Sequence, residues 1–226
     1  MLDVFHIAKP QNCDIQIFNG IANQGSGIEY RNWRAWNKPR GVSHVYMLLI
    51  GGGGFGNLTN GGGSGAITVW YGSAQNVPDS LEVYVRGMNA LTSGTFISYR
   101  STTGSQIDLL SANSSSSTAG ATTTAANEFA ALGFYSNTAG DSGPGGAVSA
   151  SATSFLSAGS GGTVQLITAN YGYITNSNAN NGVGYFQMQP IIVGVGSATA
   201  NYAAIGCGTN DAGSIGGPGM ALIASW

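Results

Sequence analysis

The chain has 226 residues, of which 7% are charged and 37 are glycine, with 42% hydrophobic residues and a formal net charge of −2. Ordinary soluble domains carry about a quarter charged residues and about 7% glycine, so this composition is unlike that of a cytosolic enzyme. The apolar content and weak self-repulsion exclude an intrinsically disordered chain, and a surface of Ser, Thr, Asn and Gly does little to keep copies apart, which points to permanent assembly.

In chain order, residues 1–35 read as an N-terminal arm with short strands at 4–7 and 14–18. Its opening MLDVFHIAKP lacks a basic region followed by an apolar stretch, so no secretory signal is expected. Arg31, Arg34, Lys38 and Arg40 form the one basic cluster, read as a solvated or subunit-contacting edge; without a larger basic surface, no nucleic-acid partner is expected. Trp33 and Trp36 precede the first core strand, 42–50 (VSHVYMLLI), whose continuous apolar run predicts a central strand covered on both faces.

Further strands are expected at 66–71, 81–85, 95–99, 107–110, 128–135, 147–156, 163–167, 185–193 and 220–226. The run LEVYV at 81–85 alternates as a half-exposed strand does, and the low-complexity stretch 111–126 reads as a long surface loop or an extended arm against a neighbour. The final ALIASW reads as a last strand brought back into the sheet. Helical periodicity is nearly absent, and no run approaches the roughly 20 apolar residues of a membrane helix, so membrane insertion is not expected. The expected fold is therefore all-β, an antiparallel β-sandwich or jelly-roll-like domain with Gly-rich loops over residues 36–226.

Three patterns superficially resemble catalytic motifs. Gly51 to Gly56 (GGGGFG) satisfies a dinucleotide-binding spacing, but NLTNGGGSGAITVW follows it where a phosphate-holding helix would have to start. GDSGP around Ser142 is similar to a serine-protease nucleophile segment, yet it carries Pro144 where that motif has glycine, and the only imidazoles are His6 and His44. The nine acidic residues are isolated from one another, and Cys13 and Cys207 match no metal or redox spacing, being read as free buried thiols or as a bridge between the chain ends. No catalytic residue, metal or cofactor is expected. Aromatic residues in polar, glycine-rich surroundings, Tyr171, Tyr173, Tyr185 and Tyr202, are the candidates for subunit or receptor contact.

Between Trp36 and Trp70 the sequence reads WNKPRGVSHVYMLLIGGGGFGNLTNGGGSGAITVW, and the chain finishes GGPGMALIASW. These two stretches resemble the glycine-rich domain of bacteriophage virion proteins, notably tail fibres. The resemblance brackets residues 36–226. It implies a non-enzymatic virion structural protein, made in the host cytoplasm and exposed on the capsid or tail. Its partners would be copies of itself, with trimeric symmetry a family expectation, and other virion proteins. The alternative it implies is a receptor-binding adhesin at a tail fibre tip that recognises a host surface glycan or outer-membrane protein. Extended polyglycine helices occur in some relatives, but the short glycine runs here, separated by strands, favour a conventional β-sandwich.

Overall fold

Short runs of β-branched and aromatic residues, interrupted by glycine and small polar residues, leave this chain little choice but strands and tight connections. The computed structural model describes residues 13–20, 33–55, 62–86, 94–140, 142, 205–206 and 216–226, and within them the fold is all β. The strands are β1 (Asp14–Asn19), β2 (Arg34–Asn37), β3 (His44–Ile50), β4 (Ile67–Ser73), β5 (Ser80–Tyr84), β6 (Thr95–Arg100), β7 (Gln106–Ala112), β8 (Gly133–Thr138) and β9 (Met220–Ser225). Two antiparallel sheets form, in the orders β1-β9-β3-β4-β8 and β2-β5-β6-β7. The strands expected at 4–7, 147–156, 163–167 and 185–193 lie outside the described residues.

The sheets pack face to face. Val45, Met47, Leu49, Trp70, Ala221 and Ile223 of the larger sheet meet Trp36, Leu81, Val83, Ile97, Leu110 and Ala112 of the smaller in one buried cluster. Side-chain alternation along β3 and β9 then sends Leu48, Ile50, Met220, Leu222 and Ala224 to the opposite face, where they are also buried and pack with Ile67, Ile17, Val69 and Ile205. This explains the unbroken apolar run of β3, a strand covered on both sides. β9 lies between β1 and β3, so the last strand is an interior member of its sheet.

Trp70 shows how the inner packing is shaped. Its indole stacks on Phe129 at a centroid distance of 4.9 Å and spreads over the cross-strand pair Gly72 and Gly133. A Cβ on Gly72 would come within 2.6 Å of the ring and one on Gly133 within 2.8 Å, so these two glycines are the space the indole occupies. Buried hydroxyls also tie the layers together: Thr95 Oγ1 donates to the Ile50 carbonyl and Thr68 Oγ1 to the Ser111 carbonyl, both at 2.7 Å.

Several elements differ from expectation for identifiable reasons. β2 has no alternating pattern to betray it; it is a strand because Trp36 fills the core while the chain pairs with β5. β1, expected within an N-terminal arm, pairs with β9 of its own chain and buries Phe18 in its own core. The run expected as a strand from 128 begins one turn late, because Ala130–Leu132 form a 3-10 turn before β8. In β5, Tyr84 is buried rather than half-exposed, since Trp33 and Phe96 lie against its ring at 5.5 and 6.0 Å.

Two substitutions test this account. Trp70→Ala is expected to lower stability by about 3–5 kcal/mol in urea denaturation, the range for losing a fully buried indole. Ile223→Asp, which places a charge in the core from an interior strand, is expected to abolish the cooperative transition seen by circular dichroism.

Candidate functional site

The antiparallel connections put two chemically different surfaces at opposite ends of the sandwich. At the end where β3 finishes and β4 and β9 begin, glycine segments run side by side with their backbones in contact. Gly53 N–H donates to Gly217 O, Gly54 N–H to Gly63 O, Gly63 N–H to Ser117 O, Gly65 N–H to Gly206 O and Ala121 N–H to Ser64 O, at 2.7 to 2.9 Å. A Cβ at Gly51, Gly54, Gly63, Gly65 or Gly216 would overlap a backbone carbonyl of the adjoining segment. Glycine is needed here for close approach. The stretch 111–126, expected as a surface loop or an arm against a neighbour, contributes to this packing: its Asn113, Ser117 and Ala119 carbonyls are the ones that Cβ atoms on Gly51, Gly54 and Gly63 would strike.

Beneath these segments lies Arg86, only 4% exposed. Its Nη1 donates to the Ser115 carbonyl, its aliphatic stem fills the space a Cβ on Gly52 would need, and its own carbonyl accepts from Gly219 N–H. Among the described residues no carboxylate pairs with it. Burial holds its guanidinium down at about 10, against a smaller opposing influence of Tyr84. The glycine segments thus close over a cation whose Nη1 is held by the Ser115 carbonyl.

The other end carries the surface with the clearest binding potential. On the outer face of the larger sheet His44, Tyr71 and Trp226 form a mutually stacked group, with centroid separations of 5.6, 5.8 and 6.1 Å and ring planes within 21° of parallel. Trp226 is fixed there because its carbonyl accepts from Ser43 N–H and His44 N–H and its amide donates to His44 O. Tyr71 faces Phe134 across the β4–β8 ladder, and Phe134 is 64% exposed. Tyr46 lies on the same face, and burial pushes its phenol up, so it stays neutral. The result is an aromatic ledge running from Trp226 to Phe134 on β8.

The basic cluster of the sequence resolves into separate tasks. Arg34 donates to Asn19 O and lies 5.3 Å from the Phe18 ring centroid, bracing β1 against β2. Lys38 donates to the Ala74 and Val77 carbonyls and pairs with Asp79 at 2.9 Å. Of the cluster, Arg40 is exposed, beside a shallow cleft of about 450 Å³, and Arg31 lies outside the described residues. Ser142 Oγ accepts from the Gly120 amide at 3.0 Å, which makes it a pin for that turn. Among the described residues no group of three or more His, Cys, Asp or Glu side chains comes together, and no helix is long and apolar enough to cross a membrane. Cys13 is a half-buried free thiol. Cys207 and the contact candidates Tyr171, Tyr173, Tyr185 and Tyr202 lie outside the described residues.

The ledge was missed in the sequence because His44 sits within an apolar run and Trp226 reads only as the end of a strand. The available signal was the period of two, which places 44 and 46 on one face of β3; nothing local announces that Trp226 and Tyr71 join them.

Glycine substitutions separate close packing from backbone conformation. Gly51→Ala and Gly65→Ala are expected to disrupt the glycine end, seen as a large drop in thermal midpoint. Gly104→Ala, at φ +83 with open space around it, should cost only about 1–2 kcal/mol. For Arg86 the folded pKa is depressed, so the unfolded chain binds more protons above pH 10 or so, and the penalty of burying the charge shrinks as pH rises through that window. The urea midpoint of the wild type should therefore climb relative to that of Arg86→Met between about pH 9 and pH 11. Compared with family models, curated proteins and solved structures, this chain matches none of them.

Proposed function

We propose that this chain is a non-enzymatic structural component of a bacteriophage particle, displayed on the capsid or tail and held there by contacts with copies of itself and with other virion proteins. The observation that carries the reading is the aromatic ledge ending at an exposed β-strand, on a chain with few charges to keep copies apart. The resemblance of its Trp36–Trp70 and C-terminal stretches to glycine-rich virion domains supplies the setting. Glycine segments packed backbone to backbone suit a rigid, durable particle component, because few side chains need ordering there.

The ledge also favours a second reading, in which the protein is a receptor-binding adhesin and the rings contact a host surface glycan or outer-membrane protein. Aromatic faces provide contact area with little conformational entropy to lose.

Immunogold labelling of purified particles with antibody against this chain decides between them. Label over the head or along the tail is expected for a structural component; label confined to the tail tip favours the adhesin; unlabelled particles overturn both. In the adhesin case, Tyr71→Ser combined with Phe134→Ser should reduce host adsorption at least about ten-fold while copy number per particle holds, a loss of about 1.4 kcal/mol or more of contact energy.

A further inference from the structure

The outer face of the smaller sheet, on the far side of the sandwich from the ledge, gathers side chains of a kind this chain uses sparingly. Leu81, Val83, Ile97 and Leu110 point into the core, so Glu82, Ser98 and Asp108 point outward. The strand registers set these residues in a row with Ala35, across β2, β5, β6 and β7, and pair Arg100 with Gln106 beside it. On the other side of the row Tyr84 pairs with Phe96, and Trp33 lies against Tyr84. A chain with 7% charged residues thus places Glu82, Arg100 and Asp108 on neighbouring positions of one face.

These polar groups are braced. Arg100 donates through Nε and Nη2 to the two carboxylate oxygens of Glu82 at 3.0 and 3.2 Å, a fork that fixes both planes. Asp108 Oδ1 accepts from the buried Ser98 hydroxyl at 2.5 Å and from Gln106 Nε2 at 3.1 Å. They nevertheless stay open to solvent, since Asp108 is exposed and the Arg100 side chain is 53% exposed. A face that met only water would gain little from ordering such groups, because exposed ion pairs add little stability and cost side-chain entropy. We infer that this face binds a neutral glycan chain.

The chemistry of a pyranose matches both parts of the face. Its hydroxyls donate to a fixed carboxylate and accept from a fixed guanidinium or amide, and groups already held in place lose little freedom on binding. Its C–H face packs against an aromatic ring, and Trp33 and Phe96, both half-buried, flank the buried Tyr84. From β2 to β7 the row spans about 14 Å at the ordinary strand spacing, room for a short run of sugar units laid flat. Glu82 and Arg100 cancel, so Asp108 leaves the face negative, which disfavours uronic and sialic acids and selects neutral sugars. This inference goes beyond the virion reading and is independent of the ledge.

An array of neutral hexose and N-acetylhexosamine oligosaccharides beside uronic- and sialic-acid ones, probed with the full chain, tests it, followed by titration calorimetry with the oligosaccharide that binds. Binding to neutral glycans is expected, weakened at least about ten-fold by Asp108→Ala and by Arg100→Ala and unchanged by Tyr71→Ser on the ledge. Amide resonances of the wild type provide an arm that needs no variant: those of residues 82, 98–100 and 106–108 should shift as the oligosaccharide is added. No glycan bound, acidic glycans bound instead, shifts confined to other residues, or an affinity indifferent to Asp108→Ala and Arg100→Ala overturns the inference. Binding lost in Tyr71→Ser overturns it too and puts the sugar on the ledge. Particles that label with antibody while the chain binds no glycan would leave the virion reading standing and remove this site.

Discussion

The ladder between β3 and β9 is the constraint on which the rest of the molecule hangs. Six residue pairs, from Val45 with Ser225 to Ile50 with Met220, join segments 170 to 180 residues apart. Both strands are apolar on both faces, so each needs a layer above and below. The inner layer is the β2-β5-β6-β7 sheet, reached by Val45, Met47, Leu49, Ala221 and Ile223. The outer layer begins with Leu48, Leu222 and Ile205. β1 and β4 then have defined flanks to pair with, and β8 follows from β4.

The same ladder dictates the two ends. Where β3 leaves the sheet at Ile50, β4 enters from Ala66 and β9 from Gly219, so three chain segments converge in a small space. Only segments without side chains can lie that close, which is why glycine is concentrated there and why Thr68 and Thr95 bond across to the other sheet at that end. At the opposite end the strands diverge into turns, and His44, Tyr71 and Trp226 have room to stack. The backbone contact of one end and the ring contact of the other are two consequences of one convergence.

Function, as proposed, follows from what the sandwich leaves uncovered. The described chain satisfies its core through internal pairing and leaves the Tyr71 and Phe134 part of its aromatic ledge exposed. A monomer would gain from charge around these exposed rings, and β8 supplies no charged residue. A chain that spends its life packed against copies of itself has no such need, and neutrality becomes an advantage because identical surfaces do not repel.

Much of the β architecture was legible locally. The continuous run VSHVYMLLI and the ALIASW ending announce strands because burial on two faces requires unbroken apolar sequence, and the all-β class follows from glycine and Ser/Thr/Asn interruptions too frequent for helices. What stayed illegible was partnership. RAWN became β2 through one tryptophan entering a core assembled from distant strands. Tyr84 was buried by Trp33 and Phe96, which no alternation within LEVYV foretells. The ledge exists because the β3–β9 register brings residue 226 beside residue 44. By itself, the sequence determined strand content, the places where the chain must turn, and a surface poor in charge, since those depend on neighbours along the chain. Only the tertiary structure decided which strands pair, which glycines touch backbone and which rings stack, because those depend on contacts between residues far apart in sequence.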